Sequence, residues 1–255
     1  MKLLRLDLQF FAGEKTEKAT PKKRQDTRKK GQVAKSQDVN TAIVLLAVFS
    51  VLFIGGDYFY RILHNIFQYT FQQYLLMDLT EDNIFMVFLA VLKELIFLLA
   101  PIMGAALIAG IAANYIQFGF LFSAETIKPK LEKLDPIKGL KRIFSLRAIV
   151  ELLKSSLKIS LVGIVVFGVL WSRKEEIFSL AKHSVESGFA ILANLTAQMG
   201  IIASILLIFL AVLDYLYQKY EYEKNIRMSK QDIKDEHKNI EGYPLIKSKI
   251  KQRQR

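Results

Sequence analysis

Cysteine is absent from this 255-residue sequence. Its absence excludes disulfides, thiolate nucleophiles and cysteine-ligated metals. Histidine is scarce: His64, His183 and His237 stand singly, without the paired spacing of a metal-binding helix. Neither a glycine-rich phosphate loop nor a serine nucleophile elbow occurs. The residues alone therefore predict no cofactor, no metal site and no catalytic residue.

Acidic residues are the minority among the charges. The chain has 36 lysines and arginines against 24 aspartates and glutamates, a formal net charge of +12, although 52% of it is hydrophobic. A basic balance permits nucleic-acid binding. Here, however, most lysines flank long apolar runs, where anionic lipid is the nearest partner. The distribution predicts a polytopic membrane protein with basic loops and no nucleic-acid partner.

Four apolar segments are candidates to cross a bilayer, at about 39–56, 84–113, 154–172 and 189–213. Pro101 interrupts the second block, which would allow two shorter spans. Two spans would place the basic stretch between Ser123 and Lys154 outside, against the positive-inside rule. We therefore expect one long span, kinked near Pro101. The predicted fold class is an all-α membrane protein with four long, kinked transmembrane helices, a cytosolic basic loop and a cytosolic C-terminal helix.

The third span contains two lysines. Its uncharged stretch from Ile159 to Trp171 is short, so completing it requires Lys154 and Lys158. These lysines lie four residues apart and share one face of a helix. Basic groups at membrane depth face protein or water, whereas those near a helix end extend to the interface. Both alternatives stay open at this point.

Three regions follow from the spans. Residues 1–36 form a basic cytosolic segment, residues 37–218 the transmembrane domain with a cytosolic loop at 114–153, and residues 219–255 a cytosolic linker helix. Thr20 and Pro21 predict a short helix in the first region. Beyond the fourth span one helix is expected from Asp214 to Ile240, and Ser229 with Asp232 three residues later is a capping-box pattern. Both termini are placed in the cytosol, since residues 1–40 carry eleven basic and five acidic residues and residues 219–255 carry eleven and six.

Three motifs carry a family resemblance. The first is EKTEKATP, residues 14–21. The second includes QFG at 117–119, KPK at 128–130 and PIKGLKRIFS at 136–145. The third is MSKQDIKDE at 228–236, followed by EG at 241–242. With four spans at matching intervals, the whole chain resembles the FlhB family and its injectisome relatives of the YscU and SpaS types.

The resemblance implies a membrane subunit of the bacterial flagellar type III protein export apparatus. Such a subunit packs on the export gate, helps control its opening and, in the full-length protein, takes part in substrate-specificity switching. An injectisome subunit for virulence secretion is the alternative, and a small-solute secondary transporter is a remote one. Relatives cleave themselves at an Asn-Pro-Thr-His motif that these 255 residues lack. We therefore expect no enzymatic activity here.

The implied location is the bacterial cytoplasmic membrane at the flagellar basal body. The implied partners are lipid, exported flagellar subunits, gate proteins of the FliP, FliQ and FliR types, and the large FlhA-type subunit. The loop would contact the gate, or alternatively lie on lipid headgroups, through Gln117, Gly119, Leu131, Leu134, Pro136, Ile137, Gly139, Leu140, Lys141 and Phe144. The N-terminal motif comprises Glu14, Lys15, Thr16, Glu17, Thr20 and Pro21. The linker motif comprises Asp214, Met228, Ser229, Lys230, Glu236, Glu241 and Gly242.

Overall fold

The computed structural model describes residues 15–78, 80–123 and 146–241. These ranges contain α1 (Pro21–Lys29), α2 (Gln37–Ile54), α3 (Gly56–Gln72), α4 (Glu81–Phe118), α5 (Leu146–Ser172), α6 (Lys174–Ser179), α7 (Val185–Asn225) and α8 (Lys230–Glu241). Short 3-10 turns follow α3 at Tyr74–Leu76 and α6 at Leu180–Lys182. No β-strand occurs in the described ranges, so the predicted all-α class is confirmed.

Four of these helices, α2, α4, α5 and α7, are long and apolar enough to cross a membrane, as predicted. The 38 residues of α4 extend about 57 Å, well beyond a hydrocarbon core of about 30 Å. The Thr80 hydroxyl caps its start and Gly119, with φ 68°, ends it. Pro101 lies inside this helix. The prediction of one helix rather than two in this block is therefore confirmed.

The helices continue past the apolar spans. The predicted loop of residues 114–153 begins inside α4, which ends at Phe118, and finishes inside α5, which starts at Leu146. A helical hydrogen-bond ladder has no need to stop where the hydrocarbon stops, since polar residues sustain it in water. Composition therefore located the apolar parts of α4 and α5, and both helices extend beyond them.

The polar stretch after the fourth span differs from the prediction. One continuous helix was expected from Asp214 to Ile240, but α7 ends at Asn225 and α8 starts at Lys230. The residues between them, 226–229, form the linker break. There the backbone of Met228 pairs with that of Glu17 in an isolated antiparallel bridge. A backbone paired in this way cannot also continue a helix, so the prediction of one continuous helix was wrong.

The described residues fall into two compact units. One contains residues 15–34, 120–123 and 216–241, and the other contains residues 35–78, 80–119 and 146–215. We call 15–34 the N-terminal arm, 120–123 the loop start and 216–241 the linker. The N-terminal arm and the linker, which lie far apart in the sequence, belong to one compact unit.

One close helix crossing fixes the packing of α2 on α7. At Gly200 an added Cβ would lie 2.1 Å from the Phe49 ring. Only glycine leaves room for the ring there. Beside it, the buried Ser204 hydroxyl donates to the Gly200 carbonyl of its own helix at 2.6 Å. Away from such crossings the long helices expose their apolar side chains, as lipid-facing helices do.

Candidate functional site

Polar side chains meet at the start of α2, the end of α4 and the end of the apolar part of α7. We call Ser36, Asn40, Asn114, Gln117 and Asp214 the helix-end cluster. Ser36 precedes the first residue of α2, Gln117 lies in the last turn of α4, and Asp214 follows the apolar part of α7. The start of α2 thus adjoins the end of α4 and the end of the apolar part of α7, as expected for helices that alternate in direction.

The cluster is a chain of hydrogen bonds. The Ser36 hydroxyl donates to Asp214 Oδ2 at 2.6 Å, and the Ser36 backbone N–H donates to Gln117 Oε1 at 2.7 Å. The Gln117 amide donates to Asn40 Oδ1 at 2.7 Å, and the Asn40 amide donates to Asn114 Oδ1 at 3.0 Å. Ser36 is only 1% exposed, so these bonds lie in a poorly hydrated place. A buried polar chain of this kind fixes one arrangement of the helix ends.

Two lysines of α5 have carboxylate partners in the same unit. Lys158 forms an ion pair with Asp38 in the first turn of α2. The Lys154 Nζ lies 3.9 Å from Asp214 Oδ1. Both lysines therefore contact carboxylates of the protein. The four helices α2, α4, α5 and α7 are linked here by polar contacts.

The N-terminal arm and the linker form a second polar contact. The backbone N–H groups of Glu17 and Met228 each donate to the other residue's carbonyl at 3.0 Å. The Thr20 hydroxyl donates to Glu236 Oε2 at 2.7 Å. Both terminal N–H groups of Arg24 donate to the Glu223 carboxylate, at 2.5 Å to Oε1 and 2.7 Å to Oε2. These hydrogen bonds raise the pKa of the Arg24 guanidinium above its ordinary value.

Both helices in this contact begin as the sequence predicts. The Thr20 hydroxyl accepts the N–H of Lys23 at 3.2 Å, with Pro21 as the first helical residue of α1. Before α8, Ser229 and Asp232 exchange hydrogen bonds of 2.9 and 3.1 Å in a capping box. The backbone N–H of Ser229, and then its hydroxyl, lower the pKa of the Asp232 carboxyl.

The loop start also contacts the arm. Arg28 donates to the Phe120 carbonyl at 3.2 Å, and the Ser123 hydroxyl donates to the Lys29 carbonyl at 2.7 Å. The second bond satisfies a carbonyl at the C-terminal end of α1, where no intrahelical partner exists. The arm therefore touches both the linker and the loop start within one compact unit.

The structure separates the predicted site residues into three sets. Gln117 and Asp214 join the helix-end cluster, and Gly119 ends α4. Glu17, Thr20, Met228, Ser229 and Glu236 form the contact between the arm and the linker, with Lys15, Thr16, Pro21, Lys230 and Glu241 beside them in the chain. Outside the described residues lie Glu14, Leu131, Leu134, Pro136, Ile137, Gly139, Leu140, Lys141, Phe144 and Gly242.

Several contact residues escaped the sequence reasoning. Ser36, Asn40 and Asn114 were not singled out, although each is a polar residue at the edge of an apolar run. That position was the available signal, since a polar side chain there needs a partner. Asp38 and Glu223 were missed because their partners are distant in sequence. The part of the chain that the structure describes contains no group of three or more potential metal ligands.

Comparison with known proteins decides the family. A family model described as "FlhB HrpN YscU SpaS Family" matches residues 13–255. The chain belongs to this family. A flagellar biosynthetic protein FlhB of Bacillus subtilis is 58% identical over 252 residues, covering 99% of this chain and 70% of that protein.

More distant relatives come from both kinds of secretion system. The Yop proteins translocation protein U of Yersinia pestis is 36% identical, covering 95% of this chain and 68% of the relative. FlhB of Salmonella typhimurium is 33% identical, covering 95% of this chain and 63% of the relative. The resemblance drawn from the three motifs is thus confirmed, and the flagellar relative from Bacillus is nearer than the injectisome relative from Yersinia.

Proposed function

We propose that this chain is a membrane subunit of the bacterial flagellar type III protein export apparatus. It packs on the export gate and helps control the gate's opening; in a full-length protein it also takes part in substrate-specificity switching. The observation that carries the proposal is the 58% identity to FlhB of Bacillus subtilis across 99% of this chain. The chain acts by binding, and we assign no catalytic step to it.

Gate proteins of the FliP, FliQ and FliR types and the FlhA-type subunit are the proposed partners, with exported flagellar subunits passing through the assembly. Affinity purification of the tagged chain from flagellated cells in a mild detergent tests this. We expect the gate subunits to copurify. A chain that purifies alone with a bound solute would contradict the proposal and favour a secondary transporter.

The same purification addresses the injectisome alternative. One observation supports that alternative: a Yersinia translocation protein shares 36% identity with this chain. Copurification of flagellar gate subunits favours the flagellar assignment. Recovery of injectisome gate subunits instead, from cells that carry both systems, would reverse it.

We propose the cytoplasmic membrane as the location, with both termini in the cytosol. Two observations support this orientation. The helix-end cluster joins the start of α2 to the end of α4 and to the end of the apolar part of α7, so the segments beyond these ends leave from one side. Those segments are strongly basic, which favours the cytosolic side.

The loop after α4 is the proposed contact with the gate. Its sequence combines prolines and a glycine, which oppose a continuous helix, with spaced apolar residues that can anchor it on a partner. Burying a leucine-sized side chain contributes about 1.5–3 kcal/mol. An exposed charge pair contributes about 0–1 kcal/mol. In a gate-bound loop the leucines therefore matter more than the lysines.

Two triple variants separate gate contact from lipid contact. One changes Leu131, Leu134 and Leu140 to serine, and the other changes Lys130, Lys133 and Lys138 to glutamine. We expect the leucine variant to abolish secretion of flagellar subunits at normal membrane levels, and the lysine variant to be milder. A loop on headgroups gives the opposite order, because each lysine near an anionic surface contributes about 1 kcal/mol.

A further inference from the structure

Three stretches that are remote in sequence meet in one compact unit: the N-terminal arm, the loop start and the linker. The arm contacts both of the others. We propose that the arm is an internal coupler, which transmits displacement of the linker to the loop start. The proposal rests on the proposed function only for what the loop does to the gate; the mechanical coupling itself stands on the contacts below.

The arm grips the linker on both sides of its break. Glu223 lies before the break, Met228 lies in it, and Glu236 lies after it. Their partners in the arm are Arg24, Glu17 and Thr20 respectively. Because the arm holds both helices that flank the break, a change in the angle between α7 and α8 must move the arm or break these contacts.

The contact region has a small core of its own. Ile226, Met228 and Ser229 in the break are buried, at 6%, 5% and 7% exposure, and Ala19 and Thr27 of the arm are buried as well. Residues in an exposed joint would be solvated. Burial of the break together with arm residues indicates that the arm is packed against the joint and moves with it.

The other end of the arm holds the loop start. The contacts there come from the last turn of α1, where Arg28 reaches the Phe120 carbonyl and the Lys29 carbonyl receives the Ser123 hydroxyl. Helix α1 has nine residues, a length of about 13 Å. One unbroken ladder of backbone hydrogen bonds joins its two ends, so motion at the linker end is passed to the loop end.

One detail indicates that the contact between the arm and the linker is reversible. Glu236 Oε2 accepts the Thr20 hydroxyl, but Glu236 Oε1 is buried without a hydrogen-bond donor among the described residues. A buried acceptor without a donor destabilises the arrangement that buries it. Release of the arm would return this oxygen to water, so the gripped state carries a built-in bias toward opening. The Arg24–Glu223 pair is exposed and is itself readily broken.

The test uses the purified full chain in nanodiscs. The chain has no cysteine, so introduced cysteines are labelled specifically. Arg24→Cys and Glu223→Cys are joined with a flexible bis-methanethiosulfonate linker, which dithiothreitol cleaves. A ketone-reactive nitroxide on p-acetylphenylalanine, placed at the exposed position 122, reports mobility by electron paramagnetic resonance. We expect the spectrum at 122 to shift from immobile in the linked protein to mobile after cleavage.

Two controls make the result specific. Arg173→Cys with Glu176→Cys replaces another exposed ion pair, at 46% and 49% exposure, and linking it should leave the spectrum at 122 unchanged. Adding Arg28→Ala and Ser123→Ala to the Arg24/Glu223 variant should remove the response at 122. Both controls use the same label and reagent.

A second label, in place of Lys234, reports the mobility of the linker itself. If cleavage changes the spectrum at Lys234 but leaves that at 122 unchanged, the arm does not couple the two and the proposal is overturned. No change at either position overturns it too, because fixing the arm to the linker then has no effect on the loop start. Neither result bears on whether the chain serves export, since no secretion is measured.

Discussion

At the scale of single residues, Ser36 has an unusual use. Serine directly before a helix commonly caps it with its hydroxyl. Here the Ser36 side chain makes no cap hydrogen bond to α2, and its hydroxyl is donated to Asp214 instead. The backbone N–H of the same residue binds Gln117. One buried serine therefore joins three helices, which explains why local capping is given up.

Replacing Ser36 by alanine should destabilise the chain by about 1–3 kcal/mol, because the part-buried Asp214 carboxylate loses a hydrogen-bond donor. Thermal unfolding in mild detergent measures this. Ser50→Ala is the matched control, since Ser50 donates only to the Leu46 carbonyl of its own helix. Equal midpoints for the two variants would show that the helix-end cluster contributes nothing to stability.

Gly200 gives the second prediction at this scale. Alanine there places its Cβ 2.1 Å from a carbon of the Phe49 ring, so Gly200→Ala should cost about 1–3 kcal/mol through overpacking. Gly104→Ala is the control, because no atom lies within 4 Å of an added Cβ at that position. Adding Phe49→Leu should recover much of the loss. A Gly200→Ala chain as stable as the control would contradict the helix crossing.

At the scale of elements, local rules predicted starts and stops well. Thr20 with Pro21 and Ser229 with Asp232 were recognisable because cap and helix are adjacent in sequence. The linker break was not, since Met228 pairs with the distant Glu17. The bond from Ser36 to Gln117 joins residues 81 positions apart. No local pattern encodes such a pairing, so the elements were predictable from the sequence but only part of the candidate site was.

The start of α8 should respond to acid. Hydrogen bonds from Ser229 lower the pKa of Asp232 in the folded chain below its unfolded value. A depressed carboxyl pKa contributes stability above the unfolded pKa of about 3.9, and this is lost as the pH falls through the folded pKa. The protection factors of the α8 amides, which correct for the slower intrinsic exchange in acid, should therefore fall below about pH 4. An Asp232→Asn chain with the same acid response would contradict the assignment.

At the scale of the whole molecule, the four-span arrangement predicts which positions lie outside the membrane and which lie in the cytosol. Single cysteines in place of Asp78 and Glu175 should react with an impermeant thiol reagent added outside intact cells. Cysteines in place of Lys23, Lys138 and Lys234 should react only after the membrane is opened. The cysteine-free sequence provides the unlabelled control. Labelling at Lys138 from outside would mean that the four-span arrangement is wrong.

The central claim is that this chain serves flagellar protein export, and secretion measures it directly. An in-frame chromosomal deletion of residues 37–225 removes all four long helices. Hook and filament subunits in the growth medium are then quantified against their cellular levels, with the intact gene supplied in trans as the control. We expect secretion to be lost while synthesis continues, and the intact gene to restore secretion. Undiminished secretion by the deletion strain would contradict the account.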